Sequence, residues 1–268
     1  MDTDIIVVGS GSAGSALAGR LSEDPALRVT VLEAGALDRN PWLHVPIGYA
    51  RTMYHPTLSW NYQTEAEGEL NGRAVPWPRG RVLGGSSAIN GLIYIRGQAE
   101  DYDHWRQLGC TGWSFADCLP YFKRAEANQH GESELHGGSG PLHVSDLRDR
   151  NPLSEAFLQA ALELGFPRND DFNGAQQEGA GWYQTTTRNG LRCSAATAYL
   201  KPALKRNRNL RLVTGAQVMR VVIEDGRAVG VAYRDGSGEH VLRAAREVIL
   251  CGGAINTPQL LMLSGIGP

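Results

Sequence analysis

The chain has 268 residues, 42% of them hydrophobic and 33 of them glycine, enough for a sizeable core in one large domain or two joined ones. A formal net charge of −2 leaves no overall basic field, which argues against a general affinity for nucleic acid or an anionic membrane surface. Cys110, Cys118, Cys193 and Cys251 have no C-x-x-C or metal-type spacing, the start Met1-Asp2-Thr3-Asp4 is acidic, and no run approaches the ~20 apolar residues of a membrane span. The expectation is a cytoplasmic protein with reduced thiols, with peripheral attachment at the inner face of a membrane left open.

The first element is an apolar, β-branched run, Ile5-Ile6-Val7-Val8, which reads as a buried parallel strand and stops at Gly9-Ser10-Gly11-Ser12-Ala13-Gly14. In this G-x-G-x-x-G turn Gly9 permits the tight exit from the strand, Gly11 opens the backbone to a pyrophosphate, and Gly14 lets the next helix pack close to the sheet. The helix start adds unpaired N–H groups and the positive end of the dipole. Ala13, Ala16, Leu17, Ala18 and Leu21 give that helix an apolar face to about Glu23, before Pro25 stops it. A second strand over 29–32 ends at Glu33, whose carboxylate is placed to accept hydrogen bonds from both hydroxyls of an adenosine ribose. A 2′-phosphate there would meet like charge, which disfavours NADP. A glycine turn alone needs no ligand, but strand, turn, helix, strand and Glu in this order predict a dinucleotide site. The stretch does not separate FAD from NAD, because both use the same AMP-binding unit.

Beyond Ala34-Gly35 the pattern dissolves, and 41–62, rich in proline and aromatics, reads as a functional loop or lid. Glu65, Glu67 and Glu69 read as a solvated face. The second small-residue stretch, 79–91, predicts a turn with free N–H groups leading into a helix or strand, a Ser-capped turn without ligand being its plain explanation. Helices are predicted near 100–108, from Ser114 to about 127 with capping-box spacing to Asp117, and from Asn151-Pro152 to 164, closed by Gly165. Residues 130–141 read as an exposed loop, and 170–189 as leading through a strand to a turn at Asn189-Gly190. Ser194 caps an Ala-rich helix that Pro202 bends or shortens. A β-meander is expected from strands at 210–213, 218–224, 228–234 and 239–242. Residues 247–250 read as a buried strand that rejoins the parallel sheet and brings Gly252 and Gly253 near the cofactor, a plain strand end being an equal reading. Thr257 as N-cap and Pro258 at the first helical position open a last helix that Gly265 closes. With nothing after Pro268 to cover that helix, a C-terminally truncated protein is expected.

Two stretches carry a family resemblance. Gly80-Arg81-Val82-Leu83-Gly84-Gly85-Ser86-Ser87-Ala88-Ile89-Asn90-Gly91 and Gly253-Ala254-Ile255-Asn256-Thr257-Pro258-Gln259-Leu260-Leu261-Met262-Leu263-Ser264-Gly265-Ile266-Gly267 resemble the two signature motifs of the glucose-methanol-choline (GMC) flavoprotein oxidoreductases. With the first glycine turn and Glu33 the resemblance spans essentially the whole chain. The run 60–105, with Pro78-Arg79-Gly80 and Tyr94-Ile95-Arg96-Gly97, is most similar to the choline dehydrogenase and alkanol dehydrogenase branch. The implied fold is α/β: an FAD-binding Rossmann-like βαβ domain with an antiparallel β-meander and part of a second, α+β substrate domain. Residues 1–150 would form the first part of the FAD domain with its lid-like loops, 151–200 part of the substrate cap, and 201–268 the returning part of the FAD domain.

The resemblance implies FAD as cofactor. Gly9, Gly11, Ser12, Ala13 and Gly14 would hold the pyrophosphate, and Glu33, beside Ala34, the ribose. Val82, Gly84, Gly85, Asn90 and Gly91 would lie along the pyrophosphate and flavin, Val218 by the adenine, and Gly253 would be a further contact. Ser87 and Ala88 stand where some relatives carry a covalent histidine link, so noncovalent FAD is expected. The implied chemistry is hydride transfer from an alcohol C–H to flavin N5 while a histidine base takes the hydroxyl proton, assisted by a second His or Asn. These groups come from the family's C-terminal part. His44, His55, His104, His130, His136, His143 and His240 lie outside the corresponding motif, so no catalytic residue is assigned and the chain alone is expected to be inactive. The implied partners are a primary or choline-like alcohol and an electron acceptor, a quinone or other carrier or oxygen. No metal and no nucleic acid are expected, since Lys201, Lys205, Arg206, Arg208 and Arg211 read as a solvated helix face. Two alternatives stand beside this reading: an NAD-dependent dehydrogenase, which explains only the first 35 residues, and a non-catalytic flavin-binding domain.

Overall fold

Every residue of Thr3–Val8 (β1) is buried, as a strand must be when its sheet is covered on both faces. In the computed structural model, which describes residues 3–268, β1 is a central strand of a six-stranded sheet. The spatial order is Gln217–Glu224, Arg227–Asp235, Gly238–Leu250, β1, Val29–Glu33 (β2) and Leu210–Thr214. The first three strands are antiparallel and the last four parallel, with Gly238–Leu250 belonging to both sets. The helix Ser12–Leu21 (α1) makes the β1–β2 crossover.

Side-chain alternation along β1 builds two cores. Ile5 and Val7 join Val29, Val31, Ala18 of α1, and Ala196, Leu200 and Ala203 on one face. Ile6 and Val8 join Leu32, Val221, Val231 and Leu260 on the other. Small residues let α1 lie close to its neighbours: Gly14, Ser15, Ala18 and Gly19 are its buried positions. A Cβ on Gly14 would fall 1.9 Å from the Gly9 carbonyl oxygen, so the turn and the helix approach each other at a distance only glycine permits.

The structure corrects three expectations in this unit, which comprises 3–91 and 194–268. Leu210–Thr214 is not part of the meander; it pairs in parallel with β2, from Val29↔Leu210 to Glu33↔Thr214. The expected strands at 239–242 and 247–250 are one 13-residue strand. Its charged middle, with Arg243, Arg246 and Glu247, breaks the apolar pattern but not the pairing, since Arg243 pairs antiparallel with Gly230 and Ala244 parallel with Thr3. The last helix, Gly253–Leu263, has Gly252 rather than Thr257 as N-cap and carries Pro258 inside it, at the cost of one intrahelical bond. It ends as expected at Gly265, whose φ of +81° allows a Schellman closure in which Ile266 N–H donates to Leu261 O (2.9 Å) and Gly265 N–H to Met262 O (3.0 Å). Ser194 Oγ accepts from Thr197 N–H (3.3 Å), but the segment it caps starts as a π-helix, Ala196–Leu200, and becomes α-helical at Lys201–Arg206. The change of pitch coincides with Pro202, which has no N–H to donate.

The second unit, 92–193, is built on helices Ala99–Gln107, Phe115–Ala125 and Pro152–Glu163 with short strand pairs. The Ser114–Asp117 capping box is complete, and Asn151 caps the third helix by accepting from Leu153 N–H (2.9 Å). The turn at Asn189-Gly190, with φ of +51° and +79°, joins strands Thr187–Arg188 and Leu191–Arg192. The stretch 130–141 is not simply an exposed loop, because His136 is buried beside Glu126. Among the described residues no helix is long and apolar enough to cross a membrane.

Candidate dinucleotide site

The C-terminal ends of β1, β2 and Gly238–Leu250 open into a cleft of about 760 Å³ within the first unit. Ligands of open α/β sheets lie at such strand ends. Two helices begin at its wall. α1 starts after Gly11 with no side-chain cap and no acidic residue in its first turn, and the last helix starts after Gly252 in the same way. The first N–H groups of an α-helix have no intrahelical acceptor, so two helix N-termini bring their positive dipole ends to one cleft. That is an arrangement for an anion.

The glycines of the first turn divide their work. Gly14 is needed by the protein's own packing. Gly11 is not, since a Cβ there would meet only the Gly85 Cα, at 3.9 Å, and its open side faces the cleft. The second glycine stretch closes over the first: Gly84 N–H donates to Ser10 O (3.0 Å), and a Cβ on Gly85, whose φ is +54°, would lie 2.7 Å from the Gly11 Cα. After it, Gly85–Ala88 forms a 3₁₀ turn. Ser87 Oγ donates to Gly84 O (2.6 Å) and accepts from Ala195 N–H (3.0 Å), and Ala88 is buried, so both side chains are taken up by the turn's own packing.

Glu33 ends β2 and lines the cleft although it is only 6% exposed. Its Oε2 accepts from Ser10 N–H (2.9 Å) and Ser10 Oγ–H (2.6 Å), and its Oε1 accepts from Gly35 N–H (2.8 Å). Of about four acceptor positions on a carboxylate, one on Oε1 is left over.

Of the residues singled out from the sequence, Gly9, Gly11, Ser12, Ala13, Glu33, Ala34, Gly85, Val218 and Gly253 come together on the cleft wall. Gly14, Val82 and Gly84 are buried and do not line it, and Asn90 and Gly91 lie outside it, both exposed. The wall also contains Trp60, Arg79, Ser86, Gln217, Met219, Cys251 and the first residues of the last helix. Trp60 stacks on Tyr62, whose hydroxyl accepts from Asn256 Nδ2 (2.7 Å), which ties the aromatic segment to that helix. In the sequence this segment is marked by its proline and aromatic content and by the family resemblance of the run from Trp60. Cys251 is half-buried at the wall, and burial pushes its thiol pKa up, which keeps it neutral. No histidine is among the described residues of the wall.

With this geometry in view, the chain belongs to the GMC oxidoreductase family, whose model matches residues 3–268. It is 50% identical over 268 residues to an oxygen-dependent choline dehydrogenase of Rhizobium etli (strain CIAT 652), covering all of this chain and 48% of that protein. The mitochondrial choline dehydrogenase of Homo sapiens is 50% identical over 269 residues, covering 98% of this chain and 45% of that protein. Among solved structures, pyridoxine 4-oxidase from Mesorbium loti superposes with a TM-score of 0.95 at 37% identity, over all of this chain and 52% of that one. An FAD-dependent oxidoreductase from Chaetomium thermophilum gives 0.91 at 31% identity, over all of this chain and 48% of that one. The chain thus spans about half the length of the relatives it matches.

Proposed function

We propose that the cleft holds FAD, noncovalently, as part of an enzyme that oxidises a primary or choline-like alcohol to the aldehyde. The observation that carries this reading is the pair of uncapped helix N-termini facing one cleft beside a carboxylate with a spare acceptor position. In this reading Gly11, Ser12, Ala13 and the start of the last helix bind the pyrophosphate through main-chain N–H groups, with Gly9 and Gly14 shaping the turn. Glu33, next to Ala34, accepts from the adenosine ribose, and Val218 packs by the adenine. Gly84 and Gly85, backed by Val82, hold the second glycine stretch over the first, and Gly253 opens the last helix toward the cofactor. We assign Asn90 and Gly91 a place toward the flavin.

When bound, the flavin would supply the hydride acceptor for the alcohol C–H. The side chains here bind and orient, and the base that takes the hydroxyl proton is assigned to no residue of this chain. Choline dehydrogenase relatives at about 50% identity support an alcohol substrate, with electrons passed on to a carrier such as a quinone or to oxygen. The involvement of Ser87 and Ala88 in the turn's own packing supports a noncovalent cofactor.

The test is the visible absorption spectrum of the purified chain, with the cofactor released by acid and identified by chromatography. Near-stoichiometric free FAD is expected. A folded, colourless protein that binds NAD but not added FAD would replace the flavin reading with a nicotinamide one.

A further inference from the structure

We infer that Ser10 is a positioning residue that aims the Glu33 carboxylate at the adenosine ribose; the inference rests on the proposed FAD reading. Ser10 occupies a variable position of the G-x-G-x-x-G turn, where no side chain is required, and it is fully buried. Its main chain is pinned independently of its side chain, because Ser10 O accepts from Gly84 N–H (3.0 Å) and from Ser15 Oγ–H (2.7 Å). Ser10 N–H, which any non-proline residue would offer, donates to Glu33 Oε2. The hydroxyl is the one contribution specific to serine, and it donates to the same oxygen at 2.6 Å, the length of a charge-assisted bond.

The consequence is directional. Two donors saturate Oε2 and Gly35 N–H takes one position on Oε1, so the carboxylate is held by both ends and presents a single acceptor position, on Oε1. A carboxylate so held recognises one ribose hydroxyl firmly rather than both. Without the Ser10 hydroxyl, Oε2 regains an acceptor position and the group, held only by the main-chain N–H groups of residues 10 and 35, is less tightly fixed about its last torsion. The sharp preference for a correctly placed ribose hydroxyl is then weakened, while the rest of the site stays in place.

The test measures Kd by flavin fluorescence for FAD and for FAD analogues lacking the adenosine 2′- or 3′-hydroxyl. It uses the wild-type chain, Ser10→Ala and Ser10→Cys, with thermal unfolding followed in parallel. Wild type is expected to bind one deoxy analogue about tenfold more weakly than FAD and the other nearly as well. Ser10→Ala should weaken FAD about three- to tenfold and shrink the gap to the sensitive analogue to about twofold, with Ser10→Cys, a weaker donor of similar size, in between. If Ser10→Ala fails to fold, the Ser10→Cys ratio decides. Equal weakening of all three ligands, or unchanged discrimination, overturns the inference by reducing Ser10 to packing. Wild type that binds FAD without discriminating either analogue refutes the inference and leaves the flavin reading standing, whereas wild type that binds no FAD removes both.

Discussion

The two units of this chain are held together in different ways. The first, 3–91 with 194–268, is a sheet sandwiched by apolar side chains: Ile6, Val7, Val31 and Leu200 are fully buried, and its cores are aliphatic. The second, 92–193, has at its centre a polar network. Glu126, fully buried, accepts from Arg96 Nη2 (2.6 Å), Asn128 Nδ2 (2.9 Å) and Gly137 N–H (3.1 Å) and bonds His136 Nδ1 (3.0 Å), while His136 Nε2 bonds Asp171 (2.9 Å). Arg96 Nη1 donates to Leu135 O (2.8 Å), and its guanidinium lies over the Phe122 ring, 5.1 Å from the centroid. An apolar core spreads its support over many side chains, each of which costs stability in proportion to the space its truncation leaves. A buried network concentrates its dependence on single groups, since removing one partner strands the others away from water.

The comparison breaks most sharply at Glu126. Glu126→Gln removes the charge that Arg96 and His136 face, and should cost about 3–5 kcal/mol in urea unfolding followed by tryptophan fluorescence in the second unit. Adding Arg96→Met should recover part of that loss; no recovery would show that the carboxylate acts through packing rather than charge. In the first unit Leu200→Ala empties space in the core that the segment Ala196–Leu200 shares with Ala18 of α1 and the sheet, and should cost about 2–5 kcal/mol, set by how far the site collapses. A loss well under 1 kcal/mol there would mean that the apolar face is not the unit's support.

The smallest effect belongs to a surface hairpin of the first unit. Asp235 accepts from Ser237 N–H (2.8 Å) and Ser237 Oγ–H (2.6 Å), and these bonds, followed by His240, hold its carboxyl at about 2. A carboxylate whose pKa is depressed by folding contributes stability that is full above its unfolded value and is lost as pH falls through the folded one. Its contribution should therefore vanish between about pH 4 and pH 2. In a carbon-detected NMR titration the Asp235 carboxyl should turn over near pH 2 in the wild type and at a higher pH in Ser237→Ala, still below its ordinary value because the main-chain N–H of residue 237 and His240 remain. Identical midpoints would dismiss the Ser237 hydroxyl bond as a cause.

The same contrast governed what could be read from the sequence. β1, the glycine turn, α1, β2 and Glu33 were legible because an apolar period, a glycine spacing and a terminal carboxylate are all local signals. The capping box at Ser114 and the cap at Asn151 were legible for the same reason. The continuity of Gly238–Leu250 was not, because the strand changes partner and pairing sense at Arg243–Ala244, and backbone pairing across a charged stretch leaves no periodic trace. The start of the last helix was displaced because Pro258 looked like a first-turn residue, whereas the two glycines before it mark the real beginning. The buried cluster of Arg96, Glu126 and His136 was invisible: its members are 10 to 40 positions apart and each, alone, has the composition of a surface. At the site, the cleft wall collected the residues around the glycines, but Ser10 and Trp60 carry no motif of their own, and only three-dimensional contact identifies them.

In the proposed site, main-chain N–H groups at the start of α1, exposed by Gly11, hold the pyrophosphate of a bound dinucleotide. The measurement that meets this assignment most directly is FAD affinity, by titration, together with thermal unfolding for Gly11→Ala and Gly14→Ala. A Cβ on Gly11 has room within the protein, so Gly11→Ala should unfold within about 0.5 kcal/mol of wild type yet bind FAD at least about tenfold more weakly. Gly14→Ala, which drives a methyl into the Gly9 carbonyl, should lose about 1–3 kcal/mol of stability before any question of ligand arises. Unchanged FAD affinity in a well-folded Gly11→Ala protein would contradict the account, because the cleft would then hold its ligand without the turn on which this reading is built.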